Sequence, residues 1–521
     1  MPRTHALVIV SLLVLLGVLA APALGQEQQE RPNIVFILVD DMGFSDLEPY
    51  GAVKIETPHL QQLAENGMRF TQMQNTAKCF PSRTSLLTGL YAQQAGMWQS
   101  VGVIEHGVTL GEVLKTADYR TIAVGKHHSN RSLHQRGFDH YYGLRDGAAN
   151  YFNPGEKRES DPGEPAQKSS YNPPGRAFCF DDETVQPFTP DDPDFYMTDN
   201  FTDWALELLG QYENEQRPFF LYLSYTAPHD PLQAWPEDIA KYEGKFDEGY
   251  GAIREARYQR QLEMGLIDEE NFPLSDPTHT KWDNLSEEER ADQARRMEVY
   301  AAMIDRLDQN IGRVLDYLRQ QGELENTLIL FASDNGASAE TVQIGDGPIG
   351  RVDRWSSIGG DWANVGNTPF RYFKNWSYQG GTTTPMIVHW PGVIEPGSRT
   401  HYISHFIDIM PTLVDITGAD YAATYEDNEP TLPMQGQSLL PIFRGEQARR
   451  QGPLYWQWHN GKAVYQDGWK LVKQGDRPWE LIELRSDRTE TENLYDQHSE
   501  RVERLQALWQ EWWEATADYR D

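Results

Sequence analysis

Cysteine, positive charge and long apolar runs are all scarce in this 521-residue chain. Its two cysteines, Cys79 and Cys179, exclude a disulfide-rich scaffold, although one disulfide between them would suit an exported protein. The 46 Lys and Arg residues are outnumbered by 78 Asp and Glu, which gives a formal net charge of −32. Because nucleic acids bind basic surfaces, this charge argues against nucleic acid as a partner. It also restricts any anion site to a local basic pocket.

The one long apolar stretch lies at the start of the chain and has the pattern of a secretory signal peptide. Arg3 gives a positive start, Ala6–Leu19 is apolar, and the small residues of Ala23–Gly25 precede polar Gln26. An uncleaved membrane anchor is the alternative, but the apolar run is short for a complete span. We therefore expect residues 1–25 to be removed, with no stable membrane span afterwards, from a secreted or periplasmic protein.

Short apolar runs without alternation recur along the chain and end abruptly in polar residues. Such runs are typical of strands buried on both faces of a sheet, and segments with helical spacing lie between them. The predicted strands are Asn33–Val39, Thr121–Val124, Phe219–Tyr225 and Thr327–Ala332, and the predicted helices are Pro58–Gly67, Thr109–Thr116, Thr198–Tyr212 and Met297–Gln320. This alternation predicts an α/β fold with a mostly parallel central sheet flanked by helices.

A second, smaller unit is predicted near the C-terminus. Short strand patterns there are separated by the turn pairs Asn460-Gly461 and Asp467-Gly468, and an amphipathic helix follows at Ser499–Ala515. We therefore divide the mature chain into a large α/β domain, residues 26–448, and a C-terminal subdomain with an antiparallel sheet and a helix, residues 449–521.

Polar side chains follow each of the four predicted strands. Ligands of open α/β sheets collect beyond the carboxyl ends of the strands, so we expect these side chains to form one site. They are, in chain order, Asp40, Asp41, Lys126, His128, His229, Asp334 and Asn335.

Three carboxylates and one amide oxygen in this group form a hard ligand set. Asp40 and Asp41 are adjacent, and Asp334 precedes Asn335. Each pair alone is more typical of a turn or a helix cap. Together the oxygens suit Ca²⁺ or Mg²⁺, because like charges held this close repel strongly without a cation.

The most specific motif of the chain lies at Cys79–Gly89, which reads Cys-Phe-Pro-Ser-Arg-Thr-Ser-Leu-Leu-Thr-Gly. A partly buried cysteine before a helix that starts with proline is its ordinary interpretation. The motif nevertheless resembles the sulfatase signature, in which the Cys of C-x-P-S-R is oxidised after translation to formylglycine.

Further motifs, in the family's order, extend the resemblance from Asn33 to about Pro391. Lys126 and His128 match a K-x-H motif, His229 matches A-P-H, and Lys374 precedes a stretch that resembles the family's Y-E-G-G. The resemblance implies an alkaline-phosphatase-like large domain.

Three departures from the family pattern accompany these matches. Gln379 stands where the family commonly has Glu, which we expect to remove a charge behind Lys374. His127 replaces a common Trp, and Ser129-Asn130 replaces a common Leu-Gly, which would change the wall of the pocket.

The resemblance also implies a metal and a role for each site residue. Calcium is the family's usual ion, with magnesium as the less favoured alternative. The implied metal ligands are Asp40, Asp41, Asp334, Asn335 and the formylglycine made from Cys79.

The implied catalytic roles complete the site. Hydrated formylglycine 79 attacks sulfur, and Arg83 orients it. Lys126 and Lys374 neutralise the sulfate oxygens. His229, or Lys374, donates a proton to the leaving group, and His128 removes a proton to release sulfate.

We therefore predict a sulfatase that hydrolyses sulfate monoesters of an aryl alcohol or a carbohydrate, and that needs a formylglycine-generating enzyme for maturation. The loops at 153–194 and 235–284 would select the sulfated small molecule or glycan. Two alternatives stay open. One is a formylglycine-dependent phosphonate monoester or phosphodiester hydrolase, and the other is a secreted module that binds sulfated glycans without catalysis.

Overall fold

A computed structural model describes residues 31–168, 175–213, 215–421 and 432–520. The predicted signal peptide at residues 1–25 lies outside these ranges. The α-helices of the described residues are α1 (Pro58–Glu65), α2 (Cys79–Thr88), α3 (Leu110–Lys115), α4 (Met197–Gly210), α5 (Pro236–Ala240), α6 (Gly249–Glu263), α7 (Glu287–Gln320), α8 (Gly359–Gly366), α9 (Gln379–Thr382), α10 (Ile409–Thr417), α11 (Leu440–Phe443) and α12 (Ser499–Ala515).

The strands of the same residues form one large sheet and two small ones. They are β1 (Asn33–Val39), β2 (Met68–Gln74), β3 (Arg120–Gly125), β4 (His140–Leu144), β5 (Phe178–Phe180), β6 (Glu183–Val185), β7 (Phe219–Ser224), β8 (Thr327–Ser333), β9 (Gln343–Ile344), β10 (Trp355–Ser356), β11 (Thr383–His389), β12 (Ser398–Thr400), β13 (Ser404–His405), β14 (Leu454–Trp458), β15 (Gly461–Gln466), β16 (Trp469–Gln474) and β17 (Glu480–Glu483).

The large sheet has the order β12-β2-β11-β8-β1-β7-β3-β4-β5-β6, with β13 paired to β2. Its centre, β8-β1-β7-β3-β4, is parallel throughout. β11 runs antiparallel to both of its neighbours, and β5 and β6 form an antiparallel edge. The predicted α/β class with a mostly parallel sheet is confirmed, because the four predicted strands are the four central ones.

Helices cover both faces of this sheet, so alternate residues of β1 enter different cores. Val35 and Ile37 belong to the core that includes α7, whereas Ile34 and Phe36 belong to the core that includes α3 and α10. Because both faces are buried, β1 is apolar along its whole length. The predicted strand Asn33–Val39 therefore has the bounds that the structure shows.

The longest described helix, α7, begins at Glu287, well before the predicted start at Met297. Its first turn is fixed by a capping box in which Ser286 and Glu289 exchange side-chain and backbone hydrogen bonds. The early turns are charged and mostly exposed, and continuous burial begins only near Met297. The apolar pattern therefore marked the buried part of the helix alone. None of the described helices combines the length and the apolar run that a membrane span requires.

The C-terminal residues fold as a four-stranded antiparallel sheet, β14-β15-β16-β17, with α12 packed against β15 and β16. Val502, Leu505 and Trp509 of α12 join the buried core of this sheet. A small antiparallel sheet and a closing helix were both predicted, and the fold class is confirmed here as well. The boundary between residues 448 and 449 stays a prediction.

One predicted hairpin turn is wrong by one residue. The loop between β14 and β15 consists of His459 and Asn460, and Gly461 already pairs with Trp458 inside the ladder. A Cβ atom at Gly461 would lie 2.5 Å from the Gln474 side chain and 2.6 Å from the Ser377 hydroxyl. A larger residue at position 461 would therefore have to displace the end of the Gln474 side chain and the Ser377 hydroxyl. The second predicted turn, Asp467-Gly468, is confirmed by positive φ angles of 53° and 89°.

The two predicted surface loops contain regular structure. The segment 153–194 includes β5 and β6, which extend the large sheet, and the segment 235–284 includes α5 and α6. β5 and β6 have three residues each, too few to show an alternation of apolar and polar side chains. The helix α6 is rich in charged residues, which obscures its apolar face. Sequence periodicity therefore gave little signal for either.

Candidate active site

The carboxyl ends of the central strands meet at one edge of the sheet and bring the predicted acids together. In the parallel pair β1 and β8, Val39 lies opposite Ser333, so the residues that follow each strand are neighbours. The backbone N–H of Asp41 donates to Asp334 Oδ1 at 3.3 Å, and Asn335 Nδ2 donates to Asp41 Oδ1 at 2.6 Å. Asp40, Asp41, Asp334 and Asn335 are all buried.

Cys79 begins α2 and lies against this acidic group. Ligand atoms of Asp40, Asp41, Cys79 and His229 all lie within 4.8 Å of one another. Burial raises the pKa of the Cys79 thiol, although Lys374 and Lys126 act in the opposite direction. Cys79 and Cys179 are both free and buried, so the disulfide alternative is wrong; Cys179 lies in β5.

Two buried lysines neutralise the adjacent aspartates. Lys126 Nζ contacts Asp40 Oδ2, and Lys374 Nζ donates to Asp41 Oδ2 at 2.7 Å. Burial alone would raise the pKa of Asp41, but Lys374 and His229 hold it well below its usual range. Asp41 in turn raises the pKa of Lys374 well above its ordinary value against the effect of burial, so both groups stay ionised.

Arg83, one turn along α2 from Cys79, is held by Asp334. Its Nε donates to Asp334 Oδ2 at 2.9 Å, and its Nη2 lies 2.8 Å from the same oxygen. Its Nη1 donates to the backbone carbonyl of Lys126 at 3.0 Å. Burial and the neighbouring Asp40 raise the pKa of Asp334 to about 6, although Arg83 opposes this shift. The guanidinium therefore ties the helix of Cys79 to the ends of β3 and β8.

His229 is fixed between two carboxylates. Its Nε2 lies 3.4 Å from Asp41 Oδ2, and its Nδ1 hydrogen-bonds to the backbone carbonyl of Asp230 at 2.7 Å and lies 2.8 Å from Asp230 Oδ1. The other oxygen of Asp230 accepts a hydrogen bond from Trp355 Nε1 at 3.1 Å and one from the Ser357 hydroxyl. Burial lowers the pKa of His229, but Asp41 and Asp40 outweigh burial and raise it. Sequence reasoning missed Asp230, although it directly follows His229 in the chain.

His128 packs against Phe80 and is close enough to Lys126, Arg83 and His229 for their charges to act on it. Its backbone φ is 62°, in the left-handed region that a non-glycine residue rarely adopts. Its ring packs edge-on against Phe80 with the centroids 5.6 Å apart, and Phe80 follows Cys79. Burial and the charge of Lys126 lower the pKa of His128 well below its ordinary value, which keeps the imidazole neutral.

The oxygen set fits a hard divalent cation. Asp40 Oδ1 and Asn335 Oδ1 are buried acceptors without a hydrogen-bond partner among the described residues. Buried acceptors of this kind are nearly always satisfied, so these two oxygens, together with Asp41 and Asp334, match the ligands that Ca²⁺ or Mg²⁺ prefers.

Gln379, which stands where the family commonly has Glu, forms hydrogen bonds with other segments, and a different residue supplies a carboxylate near Lys374. The Gln379 side chain accepts a hydrogen bond from Gln74 at 3.1 Å, and its backbone N–H donates to Glu490 at 2.7 Å. Besides Asp41, Lys374 Nζ lies near a second carboxylate, that of Glu340, at 3.8 Å. No motif pointed to Glu340, which lies beyond the strand-end pattern.

The family of the chain follows from its match to known proteins. The sulfatase family model matches residues 32–419. The chain belongs to the sulfatase family. It is therefore a sulfuric ester hydrolase, and its arylsulfatase relative from Klebsiella aerogenes is 34% identical over 459 residues, covering 82% of this chain and 95% of its own. A model of the C-terminal region of N-sulphoglucosamine sulphohydrolase matches residues 369–517 of this sulfatase.

Solved structures share the fold of this sulfatase. Ps i-CgsB, solved in complex with k-i-k-neocarrahexaose, superposes with a TM-score of 0.67 at 24% identity and covers 94% of each chain. The phosphonate monoester hydrolase of Agrobacterium radiobacter superposes with a TM-score of 0.59 at 17% identity, covering 94% of this chain and 96% of its own. The fold alone therefore does not separate sulfate from phosphonate chemistry.

Proposed function

We propose that this sulfatase hydrolyses sulfate monoesters of carbohydrates or aryl alcohols, using a formylglycine made from Cys79 and a bound calcium ion. The products are inorganic sulfate and an alcohol. The observation that carries the proposal is the buried group in which Cys79, Asp40, Asp41 and His229 present ligand atoms within 4.8 Å of one another.

Calcium would be held by Asp40, Asp41, Asp334, Asn335 and the converted residue 79. When bound, the ion supplies positive charge that acidifies a hydroxyl of residue 79 and attracts the sulfate oxygens. Lys126 and Lys374, which contact Asp40 and Asp41, would contact the remaining sulfate oxygens. Local positive charge is needed here, because the net charge of −32 repels an anionic ester at longer range.

The first half of the reaction transfers the sulfuryl group to residue 79. One hydroxyl oxygen of the hydrated aldehyde forms a bond to sulfur while the bond between sulfur and the alcohol oxygen breaks. Asp334, held by Arg83, accepts the proton of the attacking hydroxyl. His229, or Lys374, gives a proton to the departing alcohol oxygen, so the alcohol leaves neutral.

The second half releases sulfate without attack at sulfur. His128 removes the proton of the second hydroxyl on the same carbon. The electron pair of that O–H bond forms the aldehyde C=O bond while the bond from carbon to the sulfate oxygen breaks. Water then adds to the aldehyde and restores the diol. A serine at position 79 has only one hydroxyl and could not eliminate sulfate in this way.

The setting of the enzyme is part of the proposal. The signal pattern at residues 1–25 supports a secreted or periplasmic protein, and conversion of Cys79 requires a formylglycine-generating enzyme as a partner during maturation. The proposed division is a catalytic domain at 26–448 and a C-terminal subdomain at 449–521. The saccharide bound in Ps i-CgsB supports a sulfated glycan as the substrate class.

The test is hydrolysis of p-nitrophenyl sulfate beside bis-p-nitrophenyl phosphate and a phenyl phosphonate monoester. The protein is produced with a formylglycine-generating enzyme, loaded with calcium, and its conversion at residue 79 is checked by mass spectrometry. Preference for the sulfate supports the proposal, and the Cys79→Ala variant should be inactive but folded. Preference for the diester or the phosphonate would select the alternative hydrolase. No turnover of any ester by converted protein would favour a binding module.

A further inference from the structure

An open cleft of about 750 Å³ lies between the segment after Lys374 and the C-terminal sheet. The hairpin loop between β14 and β15 forms one wall, and the segment after β16 forms another. The residues that matter for its chemistry are Asn375, Trp376, Trp458, Asn460, Asp476 and Arg477. None of them belongs to the group of catalytic and metal-ligating residues described above.

The cleft adjoins the catalytic group through continuous contacts. Asn375 directly follows Lys374, and its backbone N–H donates to the carbonyl of Ala77 at 2.8 Å, two residues before Cys79. Trp458 Nε1 donates to Asn375 Oδ1 at 2.9 Å.

The ring of Trp458, which lines the cleft, also contacts the residue that follows Cys79. It packs edge-on against Phe80 with the centroids 5.4 Å apart, and Phe80 packs in the same way against His128. One wall of the cleft is therefore in contact with the residue that follows Cys79 and, through it, with His128.

Arg477 is an exposed residue at the edge of the cleft that packs on two aromatic rings. Its Nη1 donates to the Tyr372 hydroxyl at 2.7 Å, and its guanidinium lies 5.0 Å from the ring centroid of Trp376. Trp376 and Tyr372 stack with their centroids 4.0 Å apart, which fixes the platform under the arginine.

The charge of Arg477 is available to a ligand. No carboxylate of the described residues forms an ion pair with it, although Asp476 lines the same cleft. A preorganised guanidinium binds carboxylate or sulfate oxygens with little further loss of side-chain entropy.

We infer that this cleft binds the saccharide portion of the sulfate ester and that Arg477 contacts a second anionic group on it. Aromatic side chains with a few convergent polar groups are typical of small-molecule sites, and the amides of Asn375 and Asn460 suit sugar hydroxyls. The second anion is a sulfate or a carboxylate, since both offer oxygens to the guanidinium. The inference rests on the proposed function and names its substrate class as an acidic saccharide.

Binding is measured by titration calorimetry on the full-length, calcium-loaded protein in which Cys79 is left unconverted, so that no turnover occurs. Three disaccharides serve as probes: neocarrabiose monosulfate, neocarrabiose disulfate, and a chondroitin disaccharide with one sulfate and one uronate carboxylate. Each is titrated into the unsubstituted protein, the Arg477→Gln variant and an Arg504→Gln control. Arg504 is an exposed arginine of α12 that lies 4.0 Å from Asp467 and does not line the cleft.

We expect at least one doubly anionic disaccharide to bind about fivefold more tightly than the monosulfate, because an ion pair at an exposed arginine contributes up to about 1 kcal/mol. Arg477→Gln should remove this advantage, and Arg504→Gln should keep it. An advantage for the disulfate alone identifies a second sulfate, and one for the uronate alone identifies a carboxylate. Equal binding of all three disaccharides, or an advantage that survives Arg477→Gln, would overturn the inference.

A parallel assay separates this inference from the proposed function. The converted Arg477→Gln protein should hydrolyse p-nitrophenyl sulfate with an unchanged kcat/KM, because the small aryl group does not need the second anion site. An equal loss on aryl and saccharide sulfates would show that Arg477 merely supports the fold and would overturn the inference. Failure of the converted, unsubstituted protein to hydrolyse any sulfate ester would instead contradict the proposed function.

Discussion

Lys374 Nζ lies 2.7 Å from Asp41 Oδ2, although 333 positions separate the two residues in the chain. Both side chains are almost completely buried. The same lysine is 3.8 Å from Glu340, so it connects the end of β1 to the segment that follows β8. A buried cation with two acidic neighbours is positioned rigidly, which is what stabilisation of an anionic transition state requires.

Lys374→Ala is expected to reduce kcat/KM for p-nitrophenyl sulfate by about 10²–10³-fold, the usual effect of removing one preorganised donor. The side chain of Asp41 would also lose its main counter-charge. Steady-state kinetics on converted protein measures the effect. Lys115→Ala is the control, because Lys115 is 40% exposed, pairs with Asp139 at 2.9 Å and lies outside the site and the two substrate loops. A loss of less than tenfold would remove Lys374 from the proposed transition-state contacts.

Removal of calcium is expected to lower both activity and thermal stability. Three carboxylates meet at the ends of β1 and β8, and a cation that binds only the folded protein stabilises it by about 2.7 kcal/mol at a concentration of 100 Kd. Melting curves are recorded after chelation and after addition of Ca²⁺ or Mg²⁺. If Ca²⁺ restores the melting temperature and the activity and Mg²⁺ does not, calcium is the bound ion.

The variant Asp40→Asn provides the matched control for chelation. It should melt at nearly the same temperature with and without Ca²⁺, because one of the proposed ligands has lost its charge. Unchanged melting and activity of the unsubstituted protein after complete chelation would contradict the proposed metal site.

The strand-end pattern predicted much of the fold and the acidic part of the site. Asp40 and Asp334 are predictable neighbours because each directly follows a buried parallel strand, and such strands end at the same edge of a sheet. Lys126 lies close to them for the same reason. The roles predicted for these residues stay proposals.

The remaining contacts depend on packing that sequence periodicity does not report. Glu340 reaches Lys374 only through the path of the segment after β8, which has no regular pattern. Asp230 directly follows His229 in the sequence, but the orientation of its carboxylate depends on hydrogen bonds from Trp355 and Ser357, which come from a distant segment. Tertiary contacts of this kind are read from the structure alone.

His128→Ala is expected to trap a sulfated enzyme. The proposed role of His128 is to remove the proton whose loss expels sulfate, so the first half of the reaction would proceed and the second would stop. Intact-protein mass spectrometry after a single turnover should show sulfate on the peptide that contains residue 79. His134→Ala is the control, since His134 is a partly exposed histidine that pairs with Asp182. Free enzyme with slow turnover and no adduct would contradict this role.

The last prediction concerns a buried ion pair behind the site. Lys470 Nζ donates to Glu490 Oε1 at 2.8 Å, and both side chains are fully buried. Glu490 Oε2 also accepts the backbone N–H of Gln379, so this pair supports the segment that follows Lys374. Burial is the largest influence on both groups: it lowers the pKa of Lys470 and raises that of Glu490. The two charges therefore stabilise one another only while both are present.

Lys470→Met should accordingly destabilise the protein by about 3–5 kcal/mol, because it leaves the Glu490 charge buried without a partner. The double variant Lys470→Met with Glu490→Gln should recover most of this loss, since no net charge is then buried. Urea unfolding followed by tryptophan fluorescence measures both. Arg319→Ala is the control: it breaks an exposed pair with Asp316, and such pairs contribute about 1 kcal/mol or less. If the double variant were as unstable as the single one, the lost hydrogen bonds rather than the unpaired charge would explain the effect.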